Sequence, residues 1–352
     1  MRMQKLKYGI VGAGSIAQAY AQAFEKSGTT CVAAIVDVRF AAAQALADRF
    51  TNCRAFVSYE KMADETSLDA VIVCTPPATH EKVCLHFLKR KIHVLCEKPL
   101  SVSVSSARRM LETAEAEGVI LTMASKFRYV EDVVRARSIV ESGILGEIVL
   151  FENAFTSRVD MTSRWNSDPL ISGGGVLIDN GTHSVDLTRY FLGPLADVQV
   201  VEGKRSQGLT VEETIRVSVK SVSGVMGSID LSWSIDKELD SYINIYGSLG
   251  TIRVGWCESK YRLSPNREWT VFGQGYDKVQ AFGSQLDNFS RAIKGLEPLR
   301  ITATDALASV EAVEAAYAAL HHSQWTAISG EMSGADHQSS SVNLNNGAHA
   351  IG

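Results

Sequence analysis

The chain has 352 residues, of which 45% are apolar and 21% charged, and its formal net charge at pH 7 is −4. This composition excludes wholly disordered and collagen-like chains, and the length is enough for two domains. The small net charge, without clusters of lysine and arginine, argues against nucleic acid or an anionic membrane surface as a partner.

The sequence carries no targeting, membrane or metal signal. No run approaches the roughly 20 apolar residues of a membrane-spanning helix, and the apolar stretch behind the basic N-terminus is too short for a signal peptide. The six cysteines have no regular spacing, which favours reduced thiols in a cytoplasmic protein over a disulfide framework. His80, His86 and His93 lack the ligand spacing of zinc sites, so no metal site is predicted.

Short apolar runs alternate with helical periods through the first part of the chain. The predicted strands are Lys7–Val11, Cys31–Asp37, Ala70–Thr75, His93–Glu97 and Ile120–Ala124, and the predicted helices are Ser15–Lys26, Ala41–Phe50, His80–Lys89 and Ser105–Gly118. Apolar strands that alternate with helices are typical of a parallel, doubly wound α/β sheet. We therefore predict a dinucleotide-binding Rossmann domain over residues 1–125.

The pattern changes after a helix near Val130–Ser142. Apolar Ile229, Leu231, Trp233 and Ile235 alternate with the polar residues Ser228, Asp230, Ser232 and Ser234, as in a strand with one covered face. Further strands at Thr214–Lys220 and Thr251–Trp256, and helices at Val279–Lys294 and Asp305–Leu320, predict an α+β domain over residues 126–322 with a large, mostly antiparallel open sheet. Residues 323–352 are polar and aperiodic, and we expect a loosely ordered tail.

A glycine motif lies between the first strand and the first helix. Gly12 and Gly14, followed by Ser15, Ile16 and Ala17, match the G-x-G-x-x-G/A dinucleotide fingerprint. Gly12 permits the tight turn, Gly14 lets the backbone approach a pyrophosphate, and Ala17 lets the helix pack close to the sheet. The free N–H groups and positive dipole end of the helix favour the phosphates.

The end of the second strand bears on the choice between NAD and NADP. Asp37 follows the glycines by somewhat more than twenty residues, where a carboxylate binds the adenosine ribose hydroxyls and repels a 2′-phosphate. Arg39 could instead pair with that phosphate, so NAD is predicted and NADP is the alternative. Thr75 and Pro76 end a later strand at the carboxyl edge of the sheet, where such folds bind ligands, and we expect them beside the cofactor.

Several motifs together indicate a family. YGIVGAGSIA, VDVR, VCTPPATH at Val73–His80, CEKPL at Cys96–Leu100 and GGGVLIDNGTHSVD at Gly173–Asp186 occur in this order. In this combination the chain resembles the glucose–fructose oxidoreductase / inositol dehydrogenase / rhizopine-catabolism (Gfo/Idh/MocA) family of NAD(P)-dependent oxidoreductases, from about Tyr8 to about His322.

The resemblance implies a catalytic set. Lys98 of the EKP motif corresponds to the family's general acid/base, and Pro99 is expected after a cis peptide bond. Glu97 is expected at the nicotinamide ribose or against Lys98, and His80 is expected to bind the cofactor. Asp179 and His183 lie four residues apart, on one face of a helix, where carboxylate and imidazole can meet one substrate hydroxyl. Asp186 is expected to orient the imidazole or to cap locally.

A second group of residues is predicted to bind the substrate. After Met123 this chain has Lys126 where many family members have an amide, and we expect Lys126 to contact a polar or anionic group. Arg128 is expected in the same site. Arg164, Trp165 and Asn166 suit a sugar-like ligand by stacking and hydrogen bonding, although a loop tryptophan at the edge of the core explains them equally well.

Three hypotheses on function follow from the resemblance. The first is an NAD(P)-dependent dehydrogenase or ketoreductase that acts on a CH–OH group of a sugar, a sugar derivative or a cyclitol. The second is an NAD-dependent glycoside hydrolase that oxidises its substrate transiently, and the third is a non-catalytic dinucleotide-binding regulator. The resemblance also implies a homodimer or homotetramer, and we expect its interface on the open sheet face around Ile229–Ile235.

Overall fold

The computed structural model describes residues 5–266, 268–322 and 326–328. Within these residues the chain folds into two sheets, one of six and one of nine strands, and helices pack against both of them. None of the helices in the described ranges is long and apolar enough to cross a membrane.

The first sheet is parallel and has helices on both faces. Its strands are β1 (Leu6–Val11), β2 (Thr30–Val36), β3 (Arg54–Phe56), β4 (Ala70–Val73), β5 (His93–Glu97) and β6 (Leu121–Ala124), and the helices between them are α1 (Ser15–Lys26), α2 (Phe40–Ala47), α3 (Tyr59–Glu65), α4 (His80–Leu88) and α5 (Val104–Glu117). The strand order is β3-β2-β1-β4-β5-β6, which is the order of a Rossmann sheet and confirms the prediction. Strands β2 and β3 lie on one side of β1, and β4 to β6 lie on the other. Because the strand order reverses between β1 and β4, a crevice forms at the carboxyl ends of these two strands.

The central strands of this sheet are almost wholly apolar because both faces are covered. All four residues of β4 are buried, and Ile10 and Val11 of β1 are at most 3% exposed. The prediction missed β3 and α3, which together occupy the loop after the predicted second helix. The three residues of β3 are too few to show a period, and β3 is held by its parallel pairing with β2.

The second sheet begins after α6 (Glu131–Glu141) and contains nine strands. They are β7 (Ile148–Thr156), β8 (Leu195–Glu202), β9 (Thr214–Ser221), β10 (Met226–Ser232), β11 (Ser241–Gly247), β12 (Gly250–Gly255), β13 (Ser259–Leu263), β14 (Thr270–Gly273) and β15 (Thr326–Ala327). Their order is β14-β13-β12-β11-β7-β10-β9-β8-β15, and every neighbouring pair is antiparallel except β7 with β10. The predicted mostly antiparallel sheet is confirmed.

One face of this sheet packs on helix α8 (Val176–Leu192), which the short helix α7 (Pro169–Ser172) precedes. Ile229, Leu231 and Trp233 are at most 2% exposed and belong to the core between the sheet and its helices. These three apolar side chains are therefore covered within the chain and cannot themselves form a subunit interface, whereas the interface expected on the open face of the sheet stays a prediction. The opposite face is polar here, with Asp230 paired to Arg216 and Lys237.

The two remaining helices connect both halves of the molecule. Helix α9 (Lys278–Ile293) packs on α1, with Phe282 and Phe289 in the core of the first domain. Helix α10 (Ala303–His322) packs on α5 as well as on α8 and β8. Of the predicted tail, residues 326–328 are described, and β15 there pairs with β8. The rest of residues 323–352 lies outside the described part of the chain.

Candidate active site

The glycine turn after β1 has the shape that a dinucleotide requires. Gly12 has a φ of 95°, and a Cβ there would meet the Cys74 carbonyl oxygen at 2.8 Å, so only glycine fits. A Cβ on Gly14 would meet nothing within 4 Å. Gly14 is the N-cap of α1 and no side chain caps this helix. Its first N–H groups therefore remain available for phosphates, and the turn fits a bound NAD.

The side chain of Asp37 is tied to this turn. Its Oδ2 accepts the Ala13 N–H at 2.8 Å, and its Oδ1 accepts the Arg39 N–H at 2.9 Å and lies 3.3 Å from Arg39 Nε. Partial burial acts to raise the pKa of Asp37, but these hydrogen bonds and the charge of Arg39 together lower it. A carboxylate therefore stands at the end of β2, with the exposed Arg39 held against it.

We expect Asp37→Ala to erode the preference for NAD over NADP. The substitution removes a negative charge that repels a 2′-phosphate, and it frees Arg39 to bind that phosphate. The ratio of kcat/KM for NAD to kcat/KM for NADP should fall by about one to two orders of magnitude, as expected for two charges a few ångströms apart near a surface. Asp48→Ala, which removes an exposed carboxylate at the end of α2, is the matched control. An unchanged ratio in Asp37→Ala would contradict the assigned role.

A cavity of about 310 Å³ opens where β5 and β6 meet the second sheet. Its wall from the first domain includes Ile16, Glu97 and Lys98. The wall from the second half combines aromatic and polar side chains: Lys126, Phe127, Phe155, Thr156, Ser157, Asn180, His183 and Trp256. A concave site that mixes an apolar wall with a few convergent polar groups is the usual form of a small-molecule site.

Lys98 and Asp179 come together across the two domains. Lys98 directly follows β5, and the Lys98–Pro99 peptide bond is cis, as the resemblance implies. Lys98 Nζ lies 2.5 Å from Asp179 Oδ1 and donates to the Asp179 carbonyl oxygen at 2.9 Å. The two side chains are 16% and 23% exposed, so the pair is partly shielded from water.

His183 lines the same cavity one helical turn after Asp179. It is 6% exposed, its ring packs edge-on against Phe127, and its buried Nδ1 has no hydrogen-bond partner among the described residues. Burial is the largest cause that lowers the pKa of His183 well below its usual value, and the charges of Lys98 and Lys126 add to it. The imidazole is therefore neutral near pH 7, and its unprotonated ring nitrogen can accept a hydrogen bond.

The start of α8 is fixed by a buried carboxylate. Glu212 Oε1 accepts the N–H groups of Gly175 and Leu177 at 2.9 and 3.1 Å and the Tyr317 hydroxyl at 2.7 Å. A Cβ on Gly175 would collide with Glu212, and a Cβ on Gly174 would collide with Tyr317. The glycines thus allow close approach at this helix start, which sets the direction of Asp179 and His183.

Glu97 belongs to a buried polar chain at the cofactor side of the cavity. Tyr20 donates its hydroxyl to Glu97 Oε1 at 3.0 Å, and Gln285 Nε2 donates to the Tyr20 hydroxyl oxygen at 2.8 Å. Burial raises the pKa of Glu97, although Lys98, Tyr20 and Lys126 counteract it. These hydrogen bonds link β5 to α1 and α9. The floor of the cavity is therefore held by elements that are far apart in the sequence.

The role predicted for His80 needs correction. The ring is fully buried, with Nδ1 2.8 Å from the Pro99 carbonyl oxygen and Nε2 2.8 Å from that of Thr75. Both nitrogens are thus engaged by the backbone, and the side chain cannot also bind a cofactor directly. His80 instead holds the loop of Thr75 and Pro76 against the turn that carries Lys98.

The predicted roles of Arg128 and Asp186 are also wrong. Arg128 is 4% exposed and Asp186 is fully buried, and Arg128 Nη2 lies 2.7 Å from Asp186 Oδ1 and 3.3 Å from Asp305 Oδ1. Ser125 donates its hydroxyl to Asp186 Oδ2 at 2.7 Å. Arg128 therefore binds protein carboxylates rather than substrate, and Asp186 orients Arg128 rather than His183.

The other predicted substrate residues fall into two groups. Lys126 lines the cavity, as expected for a substrate contact. Arg164 and Trp165 are exposed and Asn166 is half-buried, on and before a short 3₁₀ turn at Trp165–Ser167, and none of them lines the cavity. Trp165 is 46% exposed, so it is not tucked into the edge of the core either, and a substrate contact by these three residues stays a prediction.

The sequence did not single out part of the cavity wall. Asn180 lies between Asp179 and His183 on α8 and could have been found from that position. Phe155, Thr156 and Ser157 lie at the end of β7, and Trp256 follows β12, so only the pairing of distant strands brings them here. All six cysteines are free, and Cys257 is exposed. The described residues contain no cluster of potential metal ligands.

Fold and site together define a two-domain oxidoreductase that binds a nicotinamide dinucleotide. Residues 6–125 match the GFO/IDH/MocA oxidoreductase family with its NAD-binding Rossmann fold, and residues 133–253 match a C-terminal domain of the same family. These matches cover more than half of the chain. The chain belongs to the GFO/IDH/MocA family and is an NAD-dependent enzyme of the dehydrogenase type.

Named relatives and solved structures agree with this assignment. The chain is 25% identical over 323 residues to the rhizopine catabolism protein MocA of Rhizobium meliloti, covering 89% of this chain and 95% of the relative. It is 27% identical to myo-inositol 2-dehydrogenase of Thermotoga maritima, over 70% of this chain and 74% of the relative. The crystal structure of GenD2 from gentamicin A biosynthesis, in complex with NAD, has a TM-score of 0.81 at 26% identity over 93% of this chain and 97% of that chain. Levoglucosan dehydrogenase with NADH and levoglucosan has a TM-score of 0.85, and its 18% identity, over 92% of this chain and 99% of that chain, supports the fold alone.

Proposed function

We propose that the chain transfers hydride between NAD and a secondary alcohol or ketone of a sugar, a sugar derivative or a cyclitol. The observation that carries this proposal is that Lys98 and His183 line one cavity together with Ile16 of α1, and that Asp179 is paired with Lys98. Two relatives named for inositol oxidation and rhizopine catabolism support a polyhydroxylated substrate.

Three side chains have different roles at the reacting hydroxyl. NAD, when bound, supplies the hydride acceptor. Lys98 is the general acid/base, and its pairing with Asp179 orients Nζ across the domain boundary. His183, neutral near pH 7, accepts a hydrogen bond from the hydroxyl and assists the proton transfer. Asp179 also offers an acceptor to the same or the neighbouring hydroxyl.

The cavity wall supplies recognition of the substrate body. Thr156, Ser157 and Asn180 present hydroxyl and amide groups that match a polyol, and Phe155 and Trp256 present apolar rings to the carbon skeleton. A homodimer or homotetramer, proposed from the family, is checked by sedimentation of the purified protein.

A panel of sugars, inositols and sugar derivatives, assayed for reduction of NAD, tests the proposal. We expect steady-state release of NADH in stoichiometry with oxidised product. Cleavage of a glycoside without net NADH release would identify the transient-oxidation hydrolase instead. Binding of NAD with no turnover of any panel member, in either direction, would identify a regulator and overturn the proposal.

A further inference from the structure

Lys126 is a cation inside the cavity, and no carboxylate of the described residues forms an ion pair with it. It lies in a 3₁₀ turn, Lys126–Tyr129, directly after β6, and its side chain lines the cavity. Its Nζ lies 5.3 Å from the ring centroid of Phe127, 5.8 Å from that of Tyr276 and 5.7 Å from that of Phe282. Among the described residues Lys126 takes part in no ion pair, whereas Lys98 in the same cavity is paired with Asp179.

A partly buried ammonium without a carboxylate in direct ion-pair contact is unusual in a folded protein. Lysine is almost never buried unless it is paired, because the ammonium loses its hydration. Aromatic rings replace part of that hydration through their negative faces, but they do not neutralise the charge. A ligand that brings an anionic group to Lys126 would complete the site.

We infer that the substrate carries a carboxylate that Lys126 binds, so that the enzyme acts on a sugar acid. The inference rests on the proposed function and narrows its substrate class. Lys98 and His183 are engaged with the reacting hydroxyl, and Thr156, Ser157 and Asn180 suit the remaining hydroxyls. Lys126 is then the one cation of the described cavity wall that is left for a charged group. No arginine lines the cavity in the described part of the chain, so a single negative charge fits better than a phosphate dianion.

The charges around Lys126 give the inference a pH signature. Groups from three elements face the ammonium, namely Glu97 and Lys98 from the end of β5, Asp179 and His183 from α8, and Lys278 from α9. Burial is the largest cause that lowers the pKa of Lys126 to about 8, with Lys98 and Lys278 lowering it further and Glu97 and Asp179 opposing them. Because the charged form exists below this pKa, preference for an anionic ligand should be full near pH 6.5–7 and should decline as the pH rises through about 8.

Binding to the NAD-loaded protein tests the inference without requiring turnover. D-glucuronate and D-galacturonate are compared with D-glucose and D-galactose by titration calorimetry, because each pair differs only at one carbon. We expect the acids to bind more tightly, and Lys126→Met to reduce the acid-to-neutral ratio by about ten- to a hundredfold, as for loss of a hydrogen bond between charged groups. Lys126→Arg keeps a positive charge and should keep the preference, also above pH 8.

Matched controls separate this role from general charge and from folding. Lys278→Met removes an exposed lysine that faces the same region but does not line the cavity, and it should leave the ratio unchanged. Circular dichroism checks that each variant is folded, and Lys126→Gln is a second charge-removing variant. Acids that bind no more tightly than their neutral partners, or a preference that survives in Lys126→Met and Lys126→Gln, would overturn the inference. So would a loss confined to NAD affinity, which would place Lys126 at the cofactor.

The experiments distinguish a failure of the carboxylate subsite from a failure of the proposed dehydrogenase activity. If neutral polyols reduce NAD while the acids neither bind nor react, the dehydrogenase assignment stands and the carboxylate subsite is wrong. If no compound reacts but the acids bind through Lys126, the subsite stands and the reaction assigned to the site is wrong.

Discussion

Lys98→Met should lower kcat by about two to four orders of magnitude, which is the usual contribution of a positioned general acid/base. Methionine keeps the length of the side chain but cannot exchange a proton with the substrate hydroxyl. NAD affinity should change little, because the glycine turn and the start of α1 do not involve Lys98. Steady-state kinetics and fluorescence titration with NADH measure the two effects separately.

Two further variants define what Lys98 contributes. Lys98→Arg preserves the positive charge and can preserve the ion pair with Asp179, yet a guanidinium does not give up its proton in proteins. It should therefore be nearly as inactive as Lys98→Met, which would assign the loss to proton transfer rather than to charge. Lys82→Met removes an exposed lysine of α4 and should behave as the unmodified enzyme. Wild-type turnover in Lys98→Met would refute the assigned role.

Arg128→Met should destabilise the fold by about 3–5 kcal/mol, the range measured when one partner of a buried ion pair is removed. The substitution leaves Asp186 fully buried without its cation, and it also removes the contact with Asp305 at the start of α10. A lower midpoint of urea denaturation, followed by circular dichroism, should report the loss.

The double variant Arg128→Met with Asp186→Asn should recover part of the lost stability, because asparagine brings no charge into the same site. Recovery would show that the uncompensated carboxylate, rather than lost packing, causes the effect. An unchanged midpoint together with a raised KM would instead return Arg128 to the substrate site.

The first sheet was predictable because each of its main strands is recognisable from its own run of residues. Strands buried on both faces, such as β4 and β5, are continuous apolar runs, and the turns after them carry glycine or proline. The predicted ends of β2 and β4 differ from the observed ends by one or two residues, because the sequence pattern does not mark the last residue of a strand before a loop. Both β3 and α3 were missed because they are short: three residues are too few to show the period of a strand, and the seven residues of α3 make only about two helical turns.

The proposed catalytic residues, Lys98, Asp179 and His183, were predicted only through the family motifs. A single lysine before a proline, or an aspartate and a histidine four residues apart, is common on protein surfaces, and their meaning depends on the order of the motifs. The motifs did not reveal which of the polar side chains are buried and bound to other protein groups. The hydrogen-bond partners of Arg128 in α8 and α10 lie 58 and 177 residues away in sequence. Nothing near Arg128 or His80 indicates that protein atoms already satisfy their polar groups.

The cavity wall that the second sheet contributes was the least predictable part of the candidate site. Phe155 and Trp256 lie on β7 and directly after β12, and they meet because β11 pairs with both β7 and β12. Strand register of this kind depends on the whole sheet rather than on any local pattern. The two rings therefore could be recognised as strand residues, but not as part of a cavity.

The position of α9 has a consequence for exchanging parts between related enzymes. Although α9 follows the second sheet in sequence, Phe282, Leu286 and Phe289 lie in the apolar core beneath α1, and Gln285 bonds to Tyr20 there. In a chimera with a single crossover near residue 125, the first domain of one parent would pack against helix α9 of the other parent. A crossover that takes residues 126–277 from one parent and keeps α9 with its native first domain should yield more folded protein.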